Sequence, residues 1–375
     1  MRRRIPWIVA VAVVLGLAAI LTGCGSKDAT SIVKDLDKVM SKMESYQGSG
    51  TMTLHTGQQP LNYKVEVWYQ KPNYYRIALT NEKRDITQIV LRNDDGVFVL
   101  TPSLNKSYRF QSDWPENQGQ VYLYQTLVKS IQMDNSRQFT TDKDAYVFDV
   151  MASNYQNGSF ARQKIWLAKD DYAPRHVEVT DPNNNVMVEV QFDAFEFGKK
   201  FESTAFDMKS NMNGPSGAGD DKQTTGTDGS GQASGQTDEQ TSGMPQDEGA
   251  SAPPADDPNA GDDFAMAEPD PDALPEGVVQ KDMKDVQLGD TMGVMLRYTG
   301  AYDFTILERA AKNEMEAMSQ GIMLDLGFTW GQLSGGETKT LTWSYGGVEY
   351  RLTTADLPQE DMVRLAQSMV ESSGK

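Results

Sequence analysis

Cysteine and histidine are nearly missing: the 375-residue chain has one cysteine, Cys24, and two histidines, His55 and His176. One cysteine excludes an intramolecular disulfide and any cysteine-rich zinc site. Two histidines leave little for metal ligation or acid–base chemistry. Hydrophobic residues are also scarce, at 38%, less than a chain packed throughout would carry. Part of this sequence must therefore lie outside any core. Basic charge is short too, with 35 Lys and Arg against 53 Asp and Glu and a formal net charge of −18. With no basic stripe, repulsion from phosphate argues against a nucleic-acid partner.

Catalytic signatures are equally thin. There is no G-x-S-x-G, no H-E-x-x-H and no phosphate-cradling G-x-x-x-x-G-K-[ST]. Leu333-Ser334-Gly335-Gly336-Glu337 resembles the signature loop of ABC-transporter ATPases. Without the phosphate loop it reads as a glycine turn between strands. The pairs Asp94-Asp95 and Asp170-Asp171 sit where turns want aspartate for backbone reasons. His55 and His176 both fall in strand-like stretches. The expectation is a non-enzyme with no cofactor and no metal.

What is present is unevenly distributed. Arg2-Arg3-Arg4, an apolar run from Ile5 to Leu21 and then Leu21-Thr22-Gly23-Cys24 form a secretory signal pattern. Leu-Thr-Gly-Cys resembles the bacterial lipobox, in which the cysteine thiol receives diacylglycerol before cleavage. Cys24 is thus the expected lipidation site and residues 1–23 the signal peptide. More than one acyl chain gives a stable anchor, so the expected location is the extracytoplasmic face of the cell membrane. Between Asn211 and Gly277, 15 acidic residues accompany the single basic Lys222. Residues 213–277 hold 8 of the 16 prolines and 11 of the 32 glycines. Such composition cannot offset the entropy of ordering, and it predicts a disordered acidic linker.

The remaining segments alternate between two periods. Ile32, Leu36, Val39, Met40 and Met43 predict one amphipathic helix, and Val121–Ile131 another within Asn117–Met133. Between and after them run two-residue alternations at Tyr63–Tyr69, Tyr75–Leu79, Ile86–Leu91, Val97–Leu100, Tyr146–Val150, Lys164–Leu167, Val177–Val179 and Val186–Phe192. Successive hairpins with helices to spare predict an antiparallel sheet covered on one face. Beyond the linker, Tyr302–Leu307 reads as a strand and Glu308–Ser319 as a helix. Thr338–Ser344 and Val348–Thr353 read as a hairpin around Gly346-Gly347, and a last helix starts near Pro358. The fold class is α+β, with domains expected at 24–212 and 278–375. The strands carry large apolar residues, Trp68, Tyr75, Phe98, Trp166 and Phe192, that fit either a solid core or a greasy cavity.

Trp68-Tyr69-Gln70-Lys71-Pro72-Asn73-Tyr74-Tyr75 resembles the W-x-x-[KR]-P-N-x-[FY] signature of the LolA lipoprotein-carrier superfamily. Asp94-Asp95-Gly96 leading into Val97–Pro102, the pair Trp166-Leu167, the Asn183–Asn185 turn and the Phe195–Phe206 stretch resemble further landmarks of that family. The resemblance implies an unclosed half-barrel covered by helices. Its apolar cavity would accept acyl chains of lipids or lipoproteins, with Trp68, Tyr75, Phe98, Trp166 and Phe192 as lining. It also implies a basic latch to a helical lid at Lys71, although lysine lacks the forked guanidinium. The plan is similar to the two-domain RseB/MucB regulators and to LolA-like lipoproteins of spore-forming Gram-positive bacteria, some linked to sporulation. The tail around Trp343, Gly346-Gly347 and Tyr350 resembles a small domain of unknown function in exported Gram-positive proteins. Three functions follow as expectations: a tethered acyl-chain carrier, an envelope sensor whose C-terminal domain contacts a membrane protein, or a structural lipoprotein.

Overall fold

The two-residue alternation becomes antiparallel sheet nearly everywhere it occurs. A computed structural model of the chain describes residues 27–55, 59–110, 120–152, 162–213, 266–311 and 321–372. Cys24 and the expected signal peptide lie outside the described residues, as do residues 214–265 of the expected linker. Eleven strands form one sheet in the order β6-β5-β4-β3-β2-β1-β11-β10-β9-β8-β7, and seven form a second in the order β12-β13-β14-β18-β17-β16-β15. The first sheet ends in edges at β6 and β7 among the described residues, so it is open. This is the α+β architecture that the LolA-like resemblance implied.

The chain divides into two compact units, with the border inside β3 (Tyr74–Asn81), between Ile77 and Ala78. The first unit holds β1 (Ser45–Leu54), β2 (Leu61–Gln70), β7 (Gln138–Thr141), β8 (Ala145–Met151), β9 (Arg162–Ala168), β10 (Pro174–Thr180) and β11 (Val186–Phe197). Helix α1 (Ala29–Lys42) begins where the Asp28 carboxylate accepts the Ser31 N–H at 2.8 Å, satisfying one orphan donor of the first turn. It buries Ile32 and Leu36, one turn apart. Helix α2 (Tyr124–Met133) buries Tyr124, Leu127, Val128 and Ile131. It starts later than the Asn117 expected from periodicity, and residues 111–119 lie outside the described residues. Lys27 and Tyr172 both bond Asp35 of α1, at 2.7 and 2.9 Å, fixing the helix to the β9–β10 turn.

The second unit is divided differently from the expected domains. It takes β4 (Ile86–Asn93), β5 (Gly96–Thr101), β6 (Lys106–Phe110) and helix α3 (Met208–Asn213) together with the whole second sheet. That sheet comprises β12 (Val278–Leu288), β13 (Thr291–Gly300), β14 (Phe304–Ala310), β15 (Ile322–Asp325), β16 (Trp330–Gly335), β17 (Lys339–Tyr345) and β18 (Val348–Thr354). Asn81 donates to the Tyr345 hydroxyl at 2.8 Å in a buried setting, Gln88 donates to the Ser344 carbonyl, and the Lys106 ammonium donates to the Ala311 carbonyl. Five successive residues of β4 and five of β5 are buried, so both faces of these strands are covered. Helix α4 (Gln359–Ser372) buries Met362, Leu365, Ala366 and Met369. The hairpin around Gly346-Gly347 forms as expected, whereas of the expected glycine turn at Leu333–Glu337 the residues Leu333–Gly335 belong to strand β16 and only Gly336 and Glu337 lie in the bend before β17.

Two expectations fail in this unit. Glu308 and Arg309 belong to strand β14 rather than to a helix from Glu308, and residues 312–320 lie outside the described residues. The expected linker also ends early. Residues 266–277 dock on the second unit, with Ala267 buried and Asp270 N–H donating to Ser368 Oγ at 3.2 Å. Both facts have one cause. Glu308 is fully buried, and its Oε2 accepts the Ala267 N–H at 3.0 Å, a bond that holds the incoming chain.

That burial, with a smaller contribution from Glu268, pushes the Glu308 carboxyl up to about 8 despite the Ala267 bond. An unfolded glutamate ionises near 4.5. Stability tied to Glu308 is therefore full below that pH and is lost as pH rises toward 8, because the unfolded chain gives up its proton first. Glu308→Gln should flatten this decline. Urea midpoints of the variant and the wild type are expected to converge near pH 5 and to favour the variant near pH 9. An unchanged pH slope in the variant would contradict this assignment.

Candidate functional site

The helix-covered face of the first unit is built from rings, and glycine makes room for them. In the β1–β11 pairing, Gly48 stands opposite Phe195 and Gly50 opposite Phe192. A Cβ at Gly48 would lie 2.8 Å from the Phe195 ring, and one at Gly50 would lie 2.0 Å from the Gln191 carbonyl oxygen. No other residue fits at Gly50 without moving backbone. The register shifts between Ser49 and Gly50, leaving Asp193 as an extra residue on β11. Such a bulge resets the two-residue alternation. Phe192 therefore shares a face with Phe195 and Phe197, their rings 5.8 and 5.1 Å apart in sequence order.

Tyr46 of β1 lies at the centre. Its ring stacks on Phe195 at 4.9 Å, meets Tyr69 of β2 at 5.4 Å and approaches Tyr124 of α2 at 6.3 Å edge-on. Its hydroxyl donates to Gln125 Oε1 at 2.8 Å. Burial pushes both the Tyr46 and Tyr124 hydroxyls well above the usual tyrosine range, so both stay neutral. Tyr124 reaches Phe197 at 5.0 Å, and Tyr75 leans on Tyr69 at 4.9 Å. Each such pair adds about 0.5–1.5 kcal/mol beyond area burial. Tyr46 and Tyr124 are fully buried, whereas Tyr75, Phe195 and Phe197 are half-buried. The face thus has a packed centre and accessible ring edges.

Of the residues expected to line a cavity, Tyr75 and Phe192 belong to this face. Trp68 and Trp166 do not, and the expectation is corrected for both. On β2 the buried residues are Val65, Val67 and Tyr69, so Trp68 projects to the other side with Glu66. There the Arg76 guanidinium lies 4.3 Å from the Trp68 ring centre and donates to Glu66 Oε2 at 2.7 Å, while Phe201 stacks on Trp68 at 5.3 Å. On β9, Ile165 and Leu167 are buried, and Trp166 alternates away from them beside Lys164. It packs against His176 at 4.5 Å, whose Nε2 is 3.0 Å from Glu178 Oε1. Both tryptophans cover hydrogen-bonded polar pairs on the outer face. Phe98 belongs to the second unit, buried on β5, with the Arg109 guanidinium 5.8 Å from its ring.

Lys71 does meet a helix, at its end. Its Nζ bonds Glu44 Oε1 at 2.8 Å and the Ser41 carbonyl at 3.3 Å, and its N–H donates to the Glu44 carbonyl at 2.9 Å. A cation suits the last carbonyls of α1, although so exposed an ion pair adds little stability. The sequence reading missed Tyr46, Tyr69, Tyr124, Phe195 and Phe197 as site residues. The signal for them was Gly48-x-Gly50, which leaves space on one strand, together with Phe195-x-Phe197 on another. Among the described residues no group of three or more His, Cys, Asp or Glu could hold a metal ion.

A family model described as sporulation protein YdcC-like matches residues 3–206. A Bacillus subtilis protein named sporulation protein YdcC is 38% identical over 370 residues, covering 97% of this chain and 98% of that protein. Among solved structures, Pseudomonas aeruginosa MucB in its complex with MucA shares 13% identity over 91% of this chain and 98% of that chain, with a TM-score of 0.31. A LolA superfamily protein from Nitrosomonas europaea shares 13% identity over 48% of this chain and 98% of that one, with a TM-score of 0.27. With a family match over more than half its length and a relative alike from end to end, this chain belongs to the YdcC-like family of sporulation proteins.

Proposed function

We propose that this chain is a lipoprotein anchored at the extracytoplasmic face of the cell membrane, where its open sheet takes up acyl chains of lipids or lipoproteins during sporulation. The anchor is Cys24, read from the lipobox alone. The observation that carries the acyl-chain reading is the aromatic face built on Tyr46. Half-buried Tyr75, Phe195 and Phe197 beside fully buried neighbours offer an acyl chain a preformed apolar wall with few polar groups, as small-molecule sites require. Membership of a sporulation family supports the setting.

A second reading has its own support. The hydrogen bonds from Asn81, Gln88 and Lys106 to Tyr345, Ser344 and Ala311 join strands of the first sheet to the second sheet within one compact unit. That is the coupling a sensor needs if occupancy is to reach a membrane partner through the C-terminal sheet.

Cys24→Ala should abolish incorporation of radiolabelled fatty acid and leave the signal peptide uncleaved. Labelling retained in the variant would contradict the anchor. The purified chain should bind a fluorescent fatty-acid probe saturably, and lipids should displace it better with longer chains. Each buried methylene contributes about 0.8 kcal/mol at most, so two carbons can change affinity by up to about tenfold. Tyr75→Ala should weaken binding, while Trp68→Ala, on the outer face, should leave it unchanged. Absence of saturable binding to the folded protein would contradict the carrier reading.

A further inference from the structure

Strand β12 is the outermost strand of the second sheet, and among the described residues nothing pairs with its outer edge. Eleven residues is long for an exposed edge, which offers a row of unpaired backbone groups to any passing strand. Val279 is 61% exposed and Met283 50%. Lys281 forms a bulge against β13, and from Asp282 to Leu288 the pairing then runs unbroken.

The charges along this edge are self-complementary. Lys281-Asp282-Met283-Lys284-Asp285 inverts its signs about Met283. Two copies laid antiparallel with Met283 on a two-fold axis set Lys281 opposite Asp285 of the second copy and Asp282 opposite Lys284 of the second copy. Symmetry makes each pair occur twice. Sliding the register by one residue sets Lys281 against Lys284 in one direction and Asp282 against Asp285 in the other. Sliding it further centres the axis on Asp282 or Lys284, each then facing its own charge. Like charges directly opposite destabilise a ladder and unlike charges support it. The Met283-centred register sets more unlike charges opposite one another than any other along the strand. Asp282 is already held by Arg297 at 2.6 Å, and Lys284 Nζ lies 3.6 Å from Asp282 Oδ2. Lys281 and Asp285 make no ion pair among the described residues, so each has its charge free for a partner.

We propose that β12 is a self-association edge, pairing antiparallel with β12 of a second copy so that the two seven-stranded sheets become one. The interface is isologous, as in closed two-fold dimers, and stops at two copies. Met283 meets Met283 of the second copy across the axis and loses its exposure.

Cross-linking of the full chain in isolated membranes tests this, because Cys24 is the only native cysteine. Met283→Cys should give disulfide-linked dimers on mild oxidation, several-fold more than Ile322→Cys on strand β15 at the other edge of the same sheet. In the Met283→Cys background, Lys281→Asp alone or Asp285→Lys alone should cut the yield several-fold. The two together should restore it, because the pair has merely exchanged ends. No excess over Ile322→Cys, failure of the double exchange to restore the yield, or a product with the mass of a different protein would each overturn the proposal.

Discussion

The approach of β1 to β11 is the constraint on which the first compact unit depends. Gly48 gives up a side chain so that the Phe195 and Phe192 rings can lie across its strand, and Gly50 does so to admit the Gln191 carbonyl of β11. Glycine inside a strand costs conformational entropy and packs nothing of its own. That cost is offset by the rings gathered around Tyr46 from β2, β11 and α2. The bulge at Asp193 belongs to the same device, since without an extra residue Phe195 and Phe197 would face away from Phe192. One local irregularity thus decides both where the helix packs and which face is aromatic.

The second unit solves a different problem, that of a polar group inside a core. Glu308 stands in the middle of β14 and is fully buried, a placement that normally demands a partner. The backbone of Ala267 supplies it, and in doing so ties the chain arriving from the acidic segment to the second sheet. Elsewhere in the unit, Asn81 and Lys106 join strands β3–β6 to the same sheet through Tyr345 and Ala311. A composition that reads as two domains on a string therefore folds with part of the first domain's sheet inside the second compact unit.

Much of the fold was legible because it rests on periodicity. Alternation at Tyr63–Tyr69 and Val186–Phe192 marked β2 and β11, and the spacing of Ile32 and Leu36 marked α1. Strand β12 escaped because its edge position leaves charged residues on both faces, with no alternation to read. Glu308 misled because a charged residue after Tyr302–Leu307 reads as leaving the sheet, whereas burial beside the Ala267 backbone keeps it in. At the site, size was a poor guide and parity a better one. Trp68 and Trp166 are large, yet each lies one residue out of phase with the buried positions of its own strand, and each ends beside charged neighbours. Tyr75 and Phe192 were found, but the ring cluster they join needed the bulge, which no periodic pattern announces.

The proposed function rests on the same face. A sheet that leaves ring edges half-buried beside a packed centre provides a mostly apolar surface, which suits an acyl chain better than a polar ligand. Native mass spectrometry of the full chain, extracted gently from membranes, tests this most directly. The account predicts species carrying one or more acyl lipids beyond the covalent modification proposed at Cys24, lost in a Tyr75→Ala variant. A spectrum with the covalently modified chain alone, from protein shown to be folded, would contradict it.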